Sequence, residues 1–231
     1  MAAFDSKDPR DIPAYAVVEA AHYLGVPKST LRSWFAGQAQ ADGRRFQAVI
    51  RPADPRTLGL SFSNLVEAYV LSAIRRKHKI GLPAIRKGLA YLTKHFGSDR
   101  PLLQEQFATH GAQLFVERLG EVINLSKNGQ VEMHDLILAY LERVERDTKG
   151  LPVKLYPFMR DPPLREQPRS VVIDPRVSFG RPVLAGTGMP TAVLAEQFKA
   201  GDDPSDLAKE YGANDQAVWD AIRCELDLQA A

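Results

Sequence analysis

The stretch Tyr15–Gly37, YAVVEAAHYLGVPKSTLRSWFAG, decides how the rest of the chain is read. Val17, Val18, Ala21 and Leu24 recur at spacings that give a helix one apolar face. Gly25 supplies the permissive backbone of a tight turn, and Val26 fills the gap between two helices. Pro27, Ser29 and Thr30 offer a cap or first turn for a second helix, with Leu31 and Trp34 on its buried side. The opposite side carries Lys28, Ser29, Thr30, Arg32 and Ser33, all hydrogen-bond donors and two of them cationic. An apolar back and a front of donors suit a DNA major groove, where phosphates and guanine edges accept hydrogen bonds. An ordinary helical hairpin with a solvated polar face shares this pattern, and the basic segment that follows tilts the reading toward DNA.

That segment, ADGRRFQAVIRPADPRTLGLSF (41–62), predicts two short strands, 46–51 and 57–62, joined across Pro52 and Pro55. A two-stranded ribbon after a recognition helix is a wing. Arg44, Arg45, Arg51 and Arg56 would then lie along adjacent phosphates. Ser63 or Asn64 can cap the next helix, in which Leu65, Ala68, Tyr69, Ser72 and Ala73 share a face. It ends in the basic run 75–79. Gly81 breaks it and Pro83 starts another helix, with Ile85, Leu89, Leu92 and Phe96 on one side.

The AAHYLGVPKSTLRSW core, the LSFSNLVEAYVLSAIRRK helix and the following IGLPAIRKGL resemble a MerR-type winged helix-turn-helix over about residues 14–96. The resemblance implies promoter binding as a homodimer. A long heptad-bearing helix and a cysteine metal site, found in effector-sensing members, are missing, which argues against metal sensing.

Residues 113–133, QLFVERLGEVINLSKNGQVEM, read as β-prone, with Asn128-Gly129 as a hairpin turn and Asp135 as the cap of a following helix. This predicts a small hairpin platform suited to dimerisation. From 150 to 169 the prolines predict an extended linker, yet Leu155, Tyr156, Phe158 and Met159 are too apolar to leave in water. These residues, with Arg160, either pack on the first domain or receive a partner. Beyond them, 171–174 reads as a strand, 180–190 as a glycine-rich loop, and Pro190, Asp203-Pro204 and Asn214 as three helix starts. Ala208, Gly212 and Val218 repeat the spacing of Ala21, Gly25 and Leu31. The front of this second unit offers Asn214, Asp215, Gln216 and Asp220, and carboxylates repel phosphate. The fold class expected is therefore mainly α with small β elements. Its parts are an arm (1–13), a winged reader with platform (14–149), a linker (150–169) and a three-helix, helix-turn-helix-like domain (170–231).

Charge follows the same division. Residues 1–99 hold 15 Lys and Arg against 8 Asp and Glu, whereas 170–231 hold 5 against 10. A polyanion suits the first part and a basic protein the last. Cys224 is the only cysteine, and no apolar run approaches the roughly 20 residues that span a bilayer. A cytoplasmic protein with neither membrane association nor cofactor is expected.

The element IDPRVSFGRPVLAGTGMP and the acidic helices after it resemble a small domain of unknown function widespread in bacterial antitoxins. Gly188 stands where that family usually has an arginine, so no role of that arginine carries over, while Arg181 remains as a candidate partner contact. Reader and domain together are similar to VapB-type antitoxins. This resemblance implies two partners, operator DNA and a PIN-domain ribonuclease toxin. A stand-alone repressor sensing a ligand at the 180–188 loop is the alternative. Glycines 180, 186 and 188 match neither the dinucleotide nor the P-loop fingerprint, and the five histidines are scattered, so an enzyme is not expected.

Overall fold

The computed structural model describes residues 8–39, 45–78, 80–157 and 167–226. The described chain is mainly helical. Helices α1 (Val17–Leu24) and α2 (Lys28–Ala36) are followed by the two-residue strands β1 (Gln38–Ala39) and β2 (Arg45–Phe46). Helix α3 (Phe62–His78) comes next and is buried on every side from Phe62 to Ile74. An all-round buried helix belongs at the centre of a core. Helices α1 and α6 (Lys127–Leu141) pack against it, α5 (Ala112–Ile123) lies between α6 and α4 (Leu82–Phe96), and the antiparallel pair β3 (Val144–Arg146) and β4 (Pro152–Leu155) closes the core.

The strand pair after α2 forms earlier in the chain than its sequence suggests. Gln38 pairs with Phe46 and Ala39 with Arg45, whereas 47–53 is irregular and Phe62 opens α3. Pro52 and Pro55 have no amide hydrogen to give a ladder. The amides of Val49 and Ile50 instead bond the Trp34 carbonyl, at 2.7 and 3.1 Å, which seats this segment on the end of α2. A tight turn follows, closed by the Asp54–Gly59 bridge. The cap of α3 also differs from the expected Ser63 or Asn64: Ser61 Oγ, just ahead of the helix, accepts from the Asn64 amide (3.2 Å).

Residues 113–133 are helical, which overturns the hairpin platform. Phe115, Val116, Leu119 and Gly120 form a buried helical face, so burial outweighs the β-propensity of the valines and isoleucine. Gly88 of α4 allows the approach, since a Cβ there would fall 2.7 Å from Phe115 Cε2. Asn124, in the left-handed region at φ 53°, ends α5. Ser126 caps α6 by accepting from the Gly129 amide (3.2 Å), so Asn128-Gly129 is a first helical turn and Asp135 lies mid-helix.

The expected arm and linker are partly built into the fold. Arg10 pairs with Asp8 and with Asp147 (2.8 Å), and Arg100 binds both Asp11 and the buried Glu67 at 2.7 Å. Strand β4 turns the start of the linker into sheet, and Arg143, buried, donates to the carbonyls of Tyr156 (2.9 Å) and Gln167 (2.7 Å).

A second core gathers Val171, Leu184, Leu194, Leu207, Val218 and Ile222. It is built from β5 (Val171–Val172), β6 (Val183–Leu184), α7 (Thr191–Ala200), α8 (Pro204–Glu210) and α9 (Asp215–Leu226). Asp203 caps α8 and Asn214 accepts from the Ala217 amide at 2.8 Å at the start of α9. Reciprocal backbone bonds between Leu155 and Ile173, 3.0 and 2.8 Å, join β4 to the chain just after β5, with both side chains in the first core.

Candidate nucleic-acid interface

Helix α1 stops at Gly25, whose φ of 59° and ψ of 36° are open to glycine at little strain. The Val26 amide returns to the Ala21 carbonyl at 3.0 Å, and Pro27 precedes α2. Leu31, Trp34 and Phe35 are buried beneath α2. Behind them the Arg75 guanidinium lies 5.9 Å from the Trp34 ring centre, a cation–π contact that braces the helix from α3.

This packing fixes what α2 presents. Lys28, Ser29 and Arg32 are exposed and Thr30 is half-buried. Ser33 turns its hydroxyl to the Thr30 carbonyl at 2.7 Å, so its donor is already engaged. Arg44 lies outside the described residues, and Arg45 belongs to β2. Arg51 and Arg56 are exposed on the segment after β2.

Two grooves bring these residues together. One, of about 490 Å³, runs between Lys28 and Arg32, the start of α1 at Pro13 and Val18, and Leu58. The other, of about 740 Å³, is lined by the apolar Phe35, Pro52 and Leu58 and by Arg51, Arg56 and Asp99. Leu58 lines both, so one apolar residue borders a concavity that carries Lys28 and Arg32 and another that carries Arg51 and Arg56. Its φ of 55° is unusual for leucine and is held by the 54–59 turn. In that turn Asp54 accepts from Thr57 Oγ1 (2.7 Å) and the Arg56 amide (2.9 Å), which holds its carboxyl below the usual range. Grooves lined by both cations and apolar side chains can take phosphates at the first and sugar or base faces at the second.

The expected partner contacts are dispersed. Leu155 is fully buried in the first core, so it is not available to a partner. Tyr156 is half-buried and its hydroxyl donates to Glu145 at 3.1 Å. Phe158, Met159 and Arg160 lie outside the described residues. Arg181 pairs with Glu19 of α1 and lies 3.3 Å from the Tyr23 hydroxyl. Asp220 leaves the acidic front: it is buried, accepting from Ser170 Oγ at 2.8 Å and from Gln216 at 3.0 Å.

Sequence periodicity put Val18 on the apolar face of α1, whereas it is 53% exposed and Ala20 is buried in its stead, and it missed Leu58 and the seating of the C-terminal unit on α1. That seating comprises the buried bond from the Tyr15 hydroxyl to the Gly180 carbonyl (2.9 Å), the Arg181 contacts, and His22 Nε2 lying 3.4 Å from Glu225 Oε2. Its partners are more than 150 residues apart, and no local pattern announces it. Among the described residues no group of histidine, cysteine and carboxylate side chains could hold a metal ion. Nor is any described helix long and apolar enough to cross a membrane.

Comparison with known proteins adds three matches over most of the chain. Residues 13–89 match the family model described as "Putative DNA-binding HTH domain", and 171–223 match a model for a protein of unknown function, DUF433. The chain is 31% identical to "Putative antitoxin VapB45" of Mycobacterium tuberculosis, over 92% of this chain and 93% of that protein. It is 25% identical to "Uncharacterized protein Rv2308" of the same organism, over 92% and 90%. The crystal structure of Rv2018, again from M. tuberculosis, aligns with a TM-score of 0.68 at 26% identity, covering 91% of this chain and 98% of that one.

Proposed function

This chain belongs to the family of the VapB45 antitoxin relative, and we propose that it is the antitoxin of a type II toxin–antitoxin pair. In this reading residues 14–149 bind operator DNA as a homodimer through a MerR-like winged helix-turn-helix and repress the chain's own operon. Residues 170–231, a three-helix unit, neutralise a cognate PIN-domain ribonuclease in the cytoplasm. The observation that carries the DNA half is the pair of adjoining grooves that share Leu58, one lined by Lys28 and Arg32 and the other by Arg51 and Arg56. Lys28, Ser29 and Arg32 are the residues for base edges. Thr30, Arg44, Arg45, Arg51 and Arg56 are assigned to the backbone, and Ser33 is left out because its hydroxyl is engaged within α2.

For the toxin half, the support is family membership and the net acidity of 170–231, which suits a protein whose own substrate is RNA. A stand-alone repressor is the second reading. It is favoured by the direct seating of Gly180 and Arg181 on α1, a route by which an event at the C-terminal unit would reach the reader. A mobility-shift titration on the duplex upstream of the chain's own gene tests the first half. Saturable binding that survives competitor DNA is expected, and binding no tighter than to unrelated duplex would refute it.

A further inference from the structure

Val18 is the second residue of α1 and stands away from the core, exposed where Val17, Ala20, Ala21 and Leu24 are buried. A single exposed valine needs no explanation by itself. Its place does. Of the exposed large apolar side chains among the described residues, Val18 alone lines either cation-bearing groove, where it lies with Lys28, Arg32, Pro13 and Leu58.

That groove combines cations with apolar surface, and none of its lining residues is acidic. Lys28 and Arg32 stand one turn apart on α2, so both project from the same side of the helix. Glu19, next to Val18 in the chain, is engaged elsewhere: one carboxylate oxygen accepts from the Ala16 amide at 2.8 Å and the other from Arg181. Thr57, also in the lining, spends its hydroxyl within its own turn, donating to Asp54 at 2.7 Å and accepting from the Gly59 amide at 3.2 Å. What the side chains leave open to a ligand is two cationic donors beside an apolar wall. The cations select a polyanion, and the wall needs an apolar group on it.

The edges of the bases supply one such group. In the major groove guanine, adenine and cytosine present hydrogen-bond donors and acceptors, whereas thymine adds a 5-methyl group. A valine makes no hydrogen bonds, so this methyl is the base feature that it can distinguish. Val18 shares its groove with Lys28 and Arg32, the residues assigned to base edges, which brings it to the bases as well as to the sugars. We infer that Val18 is a specificity-determining residue of the reader, packing on the 5-methyl group of a thymine beside the base that Arg32 contacts. The inference rests on the operator-binding reading and adds to it a position at which thymine is preferred.

The test uses the full chain and the duplex upstream of its own gene, with each thymine replaced singly by deoxyuridine. That exchange removes the methyl and keeps every hydrogen-bonding group. Affinity is read by fluorescence anisotropy for the wild type and for V18A, which leaves the fold intact because alanine is the better helix former at an exposed position. The wild type should lose about four-fold at one or two positions, the value of one apolar carbon removed from water. V18A should bind the unmodified duplex about four-fold more weakly or worse and lose nothing further at those positions, so that the two changes are not additive. A flat uracil scan in the wild type, or losses that persist undiminished in V18A, overturns the inference and leaves operator binding standing. Equal weakening of V18A on the operator and on unrelated duplex would make Val18 a backbone contact and overturn it too. If the wild type binds the upstream duplex no more tightly than unrelated DNA, the operator reading fails and the inference falls with it.

Discussion

The Tyr15 hydroxyl donates to the Gly180 carbonyl at 2.9 Å in a buried contact that spans 165 residues. It joins the residue just ahead of α1 to the 178–180 loop. Burial pushes the Tyr15 phenol well above its ordinary range, so it remains a donor at any working pH. Y15F would leave the Gly180 carbonyl without this donor in a buried place. Denaturant unfolding should register a loss of about 1–3 kcal/mol. G180A should be worse than Y15F, because it adds a clash and an unfavourable φ of 77°.

Base reading and phosphate contact separate by mutation. R32A should cost about 1–3 kcal/mol on the preferred duplex and relax discrimination at one position. R51A and R56A should weaken binding to every duplex alike and each lower the salt slope by about 1. Titrations on specific and unrelated duplexes at several salt concentrations distinguish the two patterns.

The helical reading of 113–133 has its own check. S126A removes the cap of α6 and should destabilise the chain by about 1 kcal/mol, read by thermal or chemical unfolding. A hairpin at Asn128-Gly129 would be indifferent to that substitution.

Acid should loosen the N-terminal tie. Hydrogen bonding from Arg10 holds the Asp8 carboxyl below its usual value. A group depressed on folding contributes stability that is complete above its unfolded pKa, near 4, and is lost as pH falls through its lower folded value. Melting temperature should therefore drop on that acid limb, and D8N should flatten the drop while lowering stability at pH 7. Arg10 keeps its pairing with Asp147 when Asp8 is protonated, so the effect stays small.

How far the sequence carried this picture depended on how local the cause was. Gly25, Gly81 with Pro83, Asp203-Pro204 and Asn214 end or begin helices by backbone chemistry within a few residues, and those boundaries read directly. Lys28, Ser29 and Arg32 were legible as a front because Leu31 and Trp34 marked the back. The failures were long-range. Val116, Val122 and Ile123 look like strand residues until α4 supplies Gly88 for Phe115 to pack on. Leu155 could pack on the first domain or meet a partner, and its burial and pairing with Ile173 decide for the first. Leu58 gains its place only when the 54–59 turn is brought beside α2. The contact between α1 and the 178–181 loop has no sequence signature at all.

The central claim is that this chain silences a toxic nuclease, and co-expression tests it most directly. Whichever reading frame neighbours the gene is induced alone and together with the full chain, and growth is followed. The account predicts arrest with the nuclease alone, restored growth with the pair, and a complex of the two on a sizing column. Arrest that persists with the chain present, with no complex recovered, would contradict it.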